Sequence, residues 1–170
     1  PDFPVAIAVD NLPSSTNNID LVISEACYGG YIIDKTIDDS MALKLISIGS
    51  QGLVASTCIS YGSVYTPLIG ADLFAFVMWK YTKDGSSFGE AFMQAKLGLI
   101  DVMTQRQGYL DGEDQKTLLS FVLYGDPLGY LEANVDMEKG IVRGEKRVEV
   151  KAISDQDGAL AKAPRISKET

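Results

Sequence analysis

The fold is decided by residues 19–30, which read IDLVISEACYGG. The β-branched residues at the centre of this stretch favour extended backbone. A nearly continuous apolar run of this length is typical of a strand inside a parallel sheet. We therefore predict a buried strand that ends at Cys27, followed by a flexible turn at Gly29-Gly30.

A second predicted strand covers residues 52–58, GLVASTC, and is again almost wholly apolar until its last residues. Between the two strands, Ser40 follows two aspartates and precedes apolar residues at helical spacing, which predicts a capped helix ending at Gly49. Strand, helix and strand in this order indicate an α/β fold with a mainly parallel sheet flanked by helices. Catalytic groups in such sheets collect at the carboxyl ends of the strands, so we expect Cys27 to lie beside residues 56–58.

Further helices and one short strand are predicted from local signals. Thr66 is expected to cap a helix with Pro67 in its first turn, where a missing N–H costs nothing. Ser87 and Glu90 have the spacing of a capping box. The predicted helices are residues 66–81, 87–107 and 113–123, and the predicted strand is residues 5–9.

Length and composition limit the class of protein. The 170 residues suffice for one domain with a buried core, and 46% hydrophobic residues with 22% charged residues are ordinary for a globular chain. The composition changes after Leu131, so residues 1–131 are predicted to form the main domain and residues 132–170 a weak β segment, near 147–150, with a mobile tail or linker. The net charge of −8 argues against nucleic acid or anionic lipid as a partner.

The chain contains no histidine and two cysteines, Cys27 and Cys58. An imidazole base therefore cannot come from this chain, and two thiols exclude a disulfide-rich scaffold. Cys27 at a strand end suits a thiolate nucleophile, with adjacent backbone N–H groups to bind an oxyanion. The alternative is a small buried core residue, which is the usual environment of a free cysteine. Cys58 is expected in the core by default, and the other interpretations are a redox partner of Cys27 or part of a pocket wall.

Other candidate sites have ordinary explanations. Gly29-Gly30 lacks the surrounding pattern of a phosphate-binding loop. Asp38-Asp39 fits helix capping better than metal binding, because no third ligand lies at a useful spacing, and no metal site is predicted. Tyr61, an aromatic residue just after the second strand, is a candidate pocket residue.

Three blocks of the sequence agree in order and approximate spacing with one protein family. An apolar strand ending in Ala26-Cys27, with glycines after it, corresponds to a nucleophile block. Residues 52–57 correspond to a second strand ending in Ala-Ser-Thr, and Ser60-Tyr61 falls where a Ser-Trp pair lines the primary specificity pocket. Residues 121–127, FVLYGDP, match a closing Gly-Asp-Pro signature. Over residues 20–131 the chain thus resembles the gingipain branch of the caspase-like cysteine peptidases.

The resemblance implies a caspase-like α/β sandwich that hydrolyses peptide bonds through a thioester on Cys27. The backbone N–H of Cys27 would help to bind the oxyanion. Within this chain, Ser56, Thr57, Ser60 and Tyr61 are the residues expected to contact the peptide or protein substrate.

The same resemblance puts the catalytic histidine on an earlier strand, at a position expected before Pro1. The expected partner is therefore an upstream His-bearing segment or a separate chain of the same precursor. Three explanations are open: the chain is a processed subunit, its sequence starts after the histidine, or it is a pseudo-peptidase that has lost its base. Without the upstream strands, this chain is expected to leave an apolar sheet edge exposed and to be unstable alone. The family implies secretion or the cell envelope, and a structural calcium for which no ligands can be named; no other cofactor is expected.

Overall fold

A computed structural model describes residues 7–15, 19–63 and 65–131, together with the backbone of two short strands further on. A 3-10 turn at Val9–Asn11 precedes the strands and helices. The strands are β1 (Leu21–Ser24), β2 (Gly52–Ser56), β3 (Phe121–Gly125), β4 (Val135–Asp136) and β5 (Ile141–Val142). The helices are α1 (Met41–Ser47), α2 (Gly70–Lys83), α3 (Phe88–Gln107) and α4 (Gly112–Ser120).

The main sheet has three strands in the order β1-β2-β3. β1 pairs with β2 in parallel, with Leu21 opposite Gly52, and β3 pairs with β2 antiparallel, with Phe121 opposite Ser56. Every residue of the central strand β2 is buried, whereas every residue of β1 is half-buried. Among the described residues, the outer edge of β1 has no paired strand. The α/β class predicted from the sequence is confirmed, in a sheet that combines one parallel and one antiparallel pairing.

Side chains of β2 alternate between two helical layers, as the pleat of a strand requires. Leu53 and Ala55 face one layer, where they pack against Ala42 and Leu45 of α1. Val54 faces the other layer, formed by α2 and α3. Helices therefore cover both faces of the sheet, and β2 lies at the centre of the fold.

The larger core lies between β2 and the helices α2 and α3. Phe74 of α2 is fully buried there, with its ring centroid 4.5 Å from that of Phe121 and 5.7 Å from that of Phe92. Aromatic rings at these separations contribute to stability beyond the area that they bury. This cluster fixes α2 against the end of β2 at which Ser56 lies.

Two of the predicted helix starts are confirmed by their capping contacts. Ser40 accepts a hydrogen bond from the Leu43 N–H at the start of α1. Ser87 and Glu90 form the reciprocal capping box at the start of α3. Both signals are local in sequence, because a cap needs only residues within one turn.

Four boundaries differ from the predictions. The second predicted strand ends at Ser56 and not at Cys58, so Thr57 and Cys58 lie in the loop after β2. β1 ends at Ser24 and not at Cys27, so the thiol lies on a turn beyond the strand. α2 begins at Gly70, and the Thr66-Pro67 pair lies in the preceding loop, because proline suits turns as well as helix starts. The predicted helix 113–123 ends at Ser120, and residues 121–125 form β3. A short apolar run does not distinguish helix from strand, and pairing with the free edge of β2 decides it.

The predictions nearest the two termini are only partly covered. Of the predicted strand 5–9, residues 5 and 6 lie outside the described residues, and Val9 belongs to the 3-10 turn instead. The predicted β segment at 147–150 also lies outside them. The short strands β4 and β5 pair antiparallel with each other. The division at residue 131 stays a prediction.

Candidate active site

Cys27 lies on an exposed turn of residues 25–30, called here the Cys27 turn, just beyond the end of β1. The turn is tied to the carboxyl end of β2 by two backbone hydrogen bonds. The Tyr28 N–H donates to the Cys58 carbonyl at 2.9 Å, and the Gly30 N–H donates to the Ser56 carbonyl at 2.8 Å. The expected proximity of Cys27 to residues 56–58 is therefore confirmed, and it follows from the parallel pairing of β1 with β2.

Gly30 has a specific steric role in holding this turn against the sheet. A Cβ atom at Gly30 would lie 3.0 Å from the Ala55 carbonyl oxygen and 3.2 Å from the Ala55 Cβ. The Tyr124 hydroxyl donates a hydrogen bond of 2.7 Å to the Gly30 carbonyl. The predicted turn at these glycines is confirmed, and Gly30 itself is buried against β2. The residue is glycine because the backbone comes this close to β2.

The sulfur of Cys27 contacts the backbone of Ser60, which belongs to a loop of residues 57–63 named here the pocket loop. The Ser60 N–H donates to Cys27 Sγ at 3.4 Å, and Sγ lies 3.5 Å from the Ser60 carbonyl oxygen. No hydrogen bond among the described residues uses the Cys27 N–H, so this donor is open to a ligand. The Ser60 Oγ is buried and finds no hydrogen-bond partner in the described part of the chain.

Ser56 and Thr57 connect β2 to the end of α4. Ser56 is fully buried, and its Oγ lies 3.0 Å from both the Cys58 carbonyl oxygen and the Ser120 Oγ. The half-buried Thr57 donates from Oγ1 to the Ser120 carbonyl at 3.1 Å. Both hydroxyl groups thus stabilise the base of the pocket loop, and a contact of either residue with substrate stays a prediction.

Tyr61 is held at the start of α2. Its carbonyl accepts a hydrogen bond of 2.8 Å from the Ala71 N–H. Its ring is 39% exposed, and Lys116 Nζ lies 4.9 Å from the ring centroid, within the range of a cation–π contact. Lys116 comes from α4, some fifty residues further along the chain, and no sequence signal connects it to Tyr61.

Both cysteines are free thiols. Cys27 is exposed and contacts Ser60, whereas Cys58 is half-buried with its Sγ 3.7 Å from the Ile59 carbonyl oxygen. The structure therefore contains no Cys27–Cys58 bridge, and the two thiols have different surroundings. The environment of Cys27 suits access by a substrate, and that of Cys58 suits packing.

One carboxyl group of the Cys27 turn and one of α2 form a pair that the sequence did not reveal. Partial burial, a hydrogen bond with Asp72 and the charge of Asp72 together raise the pKa of Glu25 from 4.5 to about 6. Asp72 Oδ2 also accepts a hydrogen bond from the Ser63 N–H. Each acid is unusual for its place, because Glu25 follows an apolar strand and Asp72 lies in a largely apolar helix. An acidic residue in apolar surroundings was the sequence signal for each of them, but it does not show that the two side chains are in contact.

The described residues offer no obvious metal site and no membrane span. No group of three or more His, Cys, Asp or Glu side chains lies close enough to bind an ion within the part of the chain that the structure describes. In that same part, no helix has the length and apolar character needed to cross a bilayer. A structural calcium stays an expectation from the resemblance.

Comparison with known proteins identifies the family. Residues 5–131 match the family model described as Peptidase family C25. No curated protein and no solved structure matches the chain. The match spans well over half of the 170 residues and includes the Cys27 turn and the pocket loop. The chain therefore belongs to peptidase family C25, the gingipain family of cysteine peptidases.

Proposed function

We propose that this chain carries the nucleophile of a cysteine endopeptidase with a caspase-like sandwich fold, and that Cys27 is the nucleophile. The observation that carries the proposal is the position of Cys27. Its exposed Sγ lies at the carboxyl end of the parallel strand pair, in contact with the Ser60 backbone, and its own N–H is unused among the described residues. Membership of family C25 supports a peptidase, and helices on both faces of the sheet are compatible with the sandwich.

The proposed reaction forms and breaks one thioester. A histidine takes the proton of the Cys27 thiol as Sγ attacks the scissile carbonyl carbon, and the Cys27 N–H binds the oxyanion that develops. The C–N bond then breaks, and the leaving amine takes that proton from the histidine. Water attacks the thioester and gives a proton to the same imidazole; the C–S bond breaks, the acid is released, and the imidazolium returns its proton to the Cys27 thiolate.

The histidine in this scheme comes from outside the chain, which contains none. We propose that it is supplied by an upstream segment or a separate chain of the same precursor, as the family resemblance implies. The free edge of β1 is the natural place for further strands, because its four residues are only half-buried and no described strand pairs with it. On this basis the chain alone is an incomplete enzyme, and secretion or the cell envelope is its proposed location.

The substrate is proposed to bind beside the pocket loop. The Ser60 backbone lies against Cys27 Sγ, so this part of the pocket loop is the part nearest to a peptide bound at the sulfur. The exposed part of the Tyr61 ring forms an adjacent surface. Ser56 and Thr57 affect the substrate site indirectly, because their hydrogen bonds to Ser120 hold the base of the pocket loop in place.

A pseudo-peptidase adaptor of the same fold is the second candidate, favoured by the absence of histidine from the chain. Peptide hydrolysis by the full-length protein separates the two. If the protein is an endopeptidase, Cys27→Ala should abolish hydrolysis and the matched variant Cys58→Ala should retain it. No hydrolysis by any version, with the fold intact by circular dichroism, would favour the adaptor.

A further inference from the structure

An open groove of about 520 Å³ adjoins the Cys27 turn, between the free side of β1 and α2. Its lining combines the two carboxyl groups of Glu25 and Asp72 with the aromatic side chains of Phe76 and Trp79. Trp79 is the one tryptophan of the chain and is 53% exposed. The groove therefore contains both a charge-sensitive pair and a fluorescent reporter of it.

Asp72 links three parts of the structure. It lies on α2, forms a hydrogen bond with Glu25 of the Cys27 turn, and accepts the Ser63 N–H of the pocket loop. Its carboxylate also lies against Gly62, where an added Cβ atom would clash with Asp72 Oδ1. The pocket loop is thus fastened near residues 62–63 by Asp72, while its Ser60 contacts Cys27 Sγ.

We propose that Asp72 and Glu25 are positioning residues of the peptidase: their hydrogen-bonded carboxyl pair holds the pocket loop so that Ser60 stays in contact with Cys27. The proposal rests on the proposed role of Cys27. Two carboxyl groups can share a hydrogen bond only when one of them carries a proton. The pair is therefore closed when Glu25 is protonated and opens when both groups are charged, since like charges in contact repel.

The protonation of Glu25 falls within an accessible pH range, because its pKa is about 6. Glu25 faces groups from three parts of the structure. Asp72 of α2 is the acidic group that faces it, and Ser63 of the pocket loop is neutral. On its own turn, Cys27 is the next titratable residue. A carboxyl group with a raised pKa binds its proton more tightly in the folded than in the unfolded state. The stabilisation by the closed pair is thus present below pH 4.5 and is lost as the pH rises from 4.5 to about 6.

The test uses the full-length protein. It measures the fluorescence of Trp79, taken as the difference between each variant with and without Trp79→Phe, and the rate at which iodoacetamide alkylates Cys27, followed by mass spectrometry of the Cys27 peptide. In the wild type, we expect a fluorescence transition with a midpoint near pH 6. Glu25→Gln should abolish it, because an amide keeps the hydrogen bond to Asp72 at every pH. Asp72→Asn retains an acceptor for the Ser63 N–H but removes the negative charge, so the midpoint should move to lower pH. The exposed Asp101→Asn on α3 is the matched control and should change nothing.

Alkylation tests the positioning claim itself and does not need peptidase activity. The Ser60 N–H and the Ser60 carbonyl oxygen both lie against Cys27 Sγ, so loss of this contact changes the surroundings of the sulfur and its rate of alkylation. Well below pH 6, wild type and Glu25→Gln should react at equal rates. Well above pH 6, the wild-type rate should differ from that of Glu25→Gln by about two- to tenfold, the factor that corresponds to one ordinary hydrogen bond. Equal alkylation rates of the wild type and Glu25→Gln at both pH values would contradict the positioning role. An unchanged fluorescence transition in Glu25→Gln would show that the Glu25–Asp72 pair does not cause the transition. Neither outcome depends on whether the protein hydrolyses peptides, so failure of the proposed function is separately visible.

Discussion

Replacing Gly30 by alanine tests how closely the Cys27 turn packs on β2. The added methyl group would lie 3.0 Å from the Ala55 carbonyl oxygen and 3.2 Å from the Ala55 Cβ, where ordinary contacts lie at 3.4–4 Å. Because Ala55 is fully buried in the central strand, the turn must move away by a few tenths of an ångström. Overpacking of this kind costs about 1–3 kcal/mol. Alanine restricts the unfolded chain more than glycine does, and this effect offsets about 0.4–1 kcal/mol of the overpacking cost.

We therefore expect Gly30→Ala to lower the free energy of unfolding by about 1–2 kcal/mol, measured by urea denaturation. The same shift should reduce kcat/KM about two- to fivefold, scaled from the roughly 100-fold loss that a 1 Å misplacement causes. The matched control is Gly112→Ala at the start of α4, where nothing lies within 4 Å of the added methyl group. This control should be neutral or stabilising by up to about 1 kcal/mol, because alanine favours a helix. If both variants change stability in the same direction, the close approach of Gly30 to β2 is wrong.

Three further outcomes follow from the core, the Cys27 turn and the carboxyl pair. Phe74→Ala removes the ring packed on Phe121 and should cost about 3–5 kcal/mol in urea denaturation. Tyr124→Phe removes the hydrogen bond to Gly30 and should cost about 0.5–1.5 kcal/mol, read from the same unfolding curves. The stability of the wild type should fall as the pH rises from 4.5 to about 6, since folded Glu25 holds its proton more tightly than the unfolded chain does, and Glu25→Gln should flatten that slope.

The first two of these outcomes each have a control on an exposed residue. Met93→Ala on α3 should change stability far less than Phe74→Ala, because Met93 is 54% exposed. Tyr109→Phe alters a tyrosine that is 63% exposed and should be silent. A Phe74→Ala variant as stable as Met93→Ala would contradict the assigned core. A Tyr124→Phe variant as stable as Tyr109→Phe would mean that the bond to Gly30 does not hold the turn.

Local signals in the sequence predicted the parts of the fold that depend on neighbouring residues. The caps at Ser40 and Ser87 were found correctly because a cap and its helix lie within one turn of each other. The strands β1 and β2 were found because both are apolar runs, although β1 ends three residues earlier and β2 two residues earlier than predicted. Their parallel pairing followed from the helix between them and brought Cys27 to residues 56–58.

Features that depend on distant residues were missed. The apolar run at 121–123 was predicted as helix, because only its pairing with β2 selects the strand. The contact of the Tyr124 hydroxyl with Gly30 spans 94 residues, and the Glu25–Asp72 pair joins a strand end to a helix. Residue types and spacing do not report such contacts, since they arise only when the chain has folded. The sequence therefore indicated Cys27 and Ser60 but not the groups that hold them together.

The central claim is that Cys27 is the nucleophile, and covalent labelling tests it most directly. The full-length protein is treated with an electrophilic peptide ketone, and the labelled peptide is identified by mass spectrometry. The account predicts a single adduct on Cys27, which is exposed and in contact with Ser60, no adduct on the half-buried Cys58, and loss of labelling in Cys27→Ala but not in Cys58→Ala. Equal labelling of the two variants would contradict it.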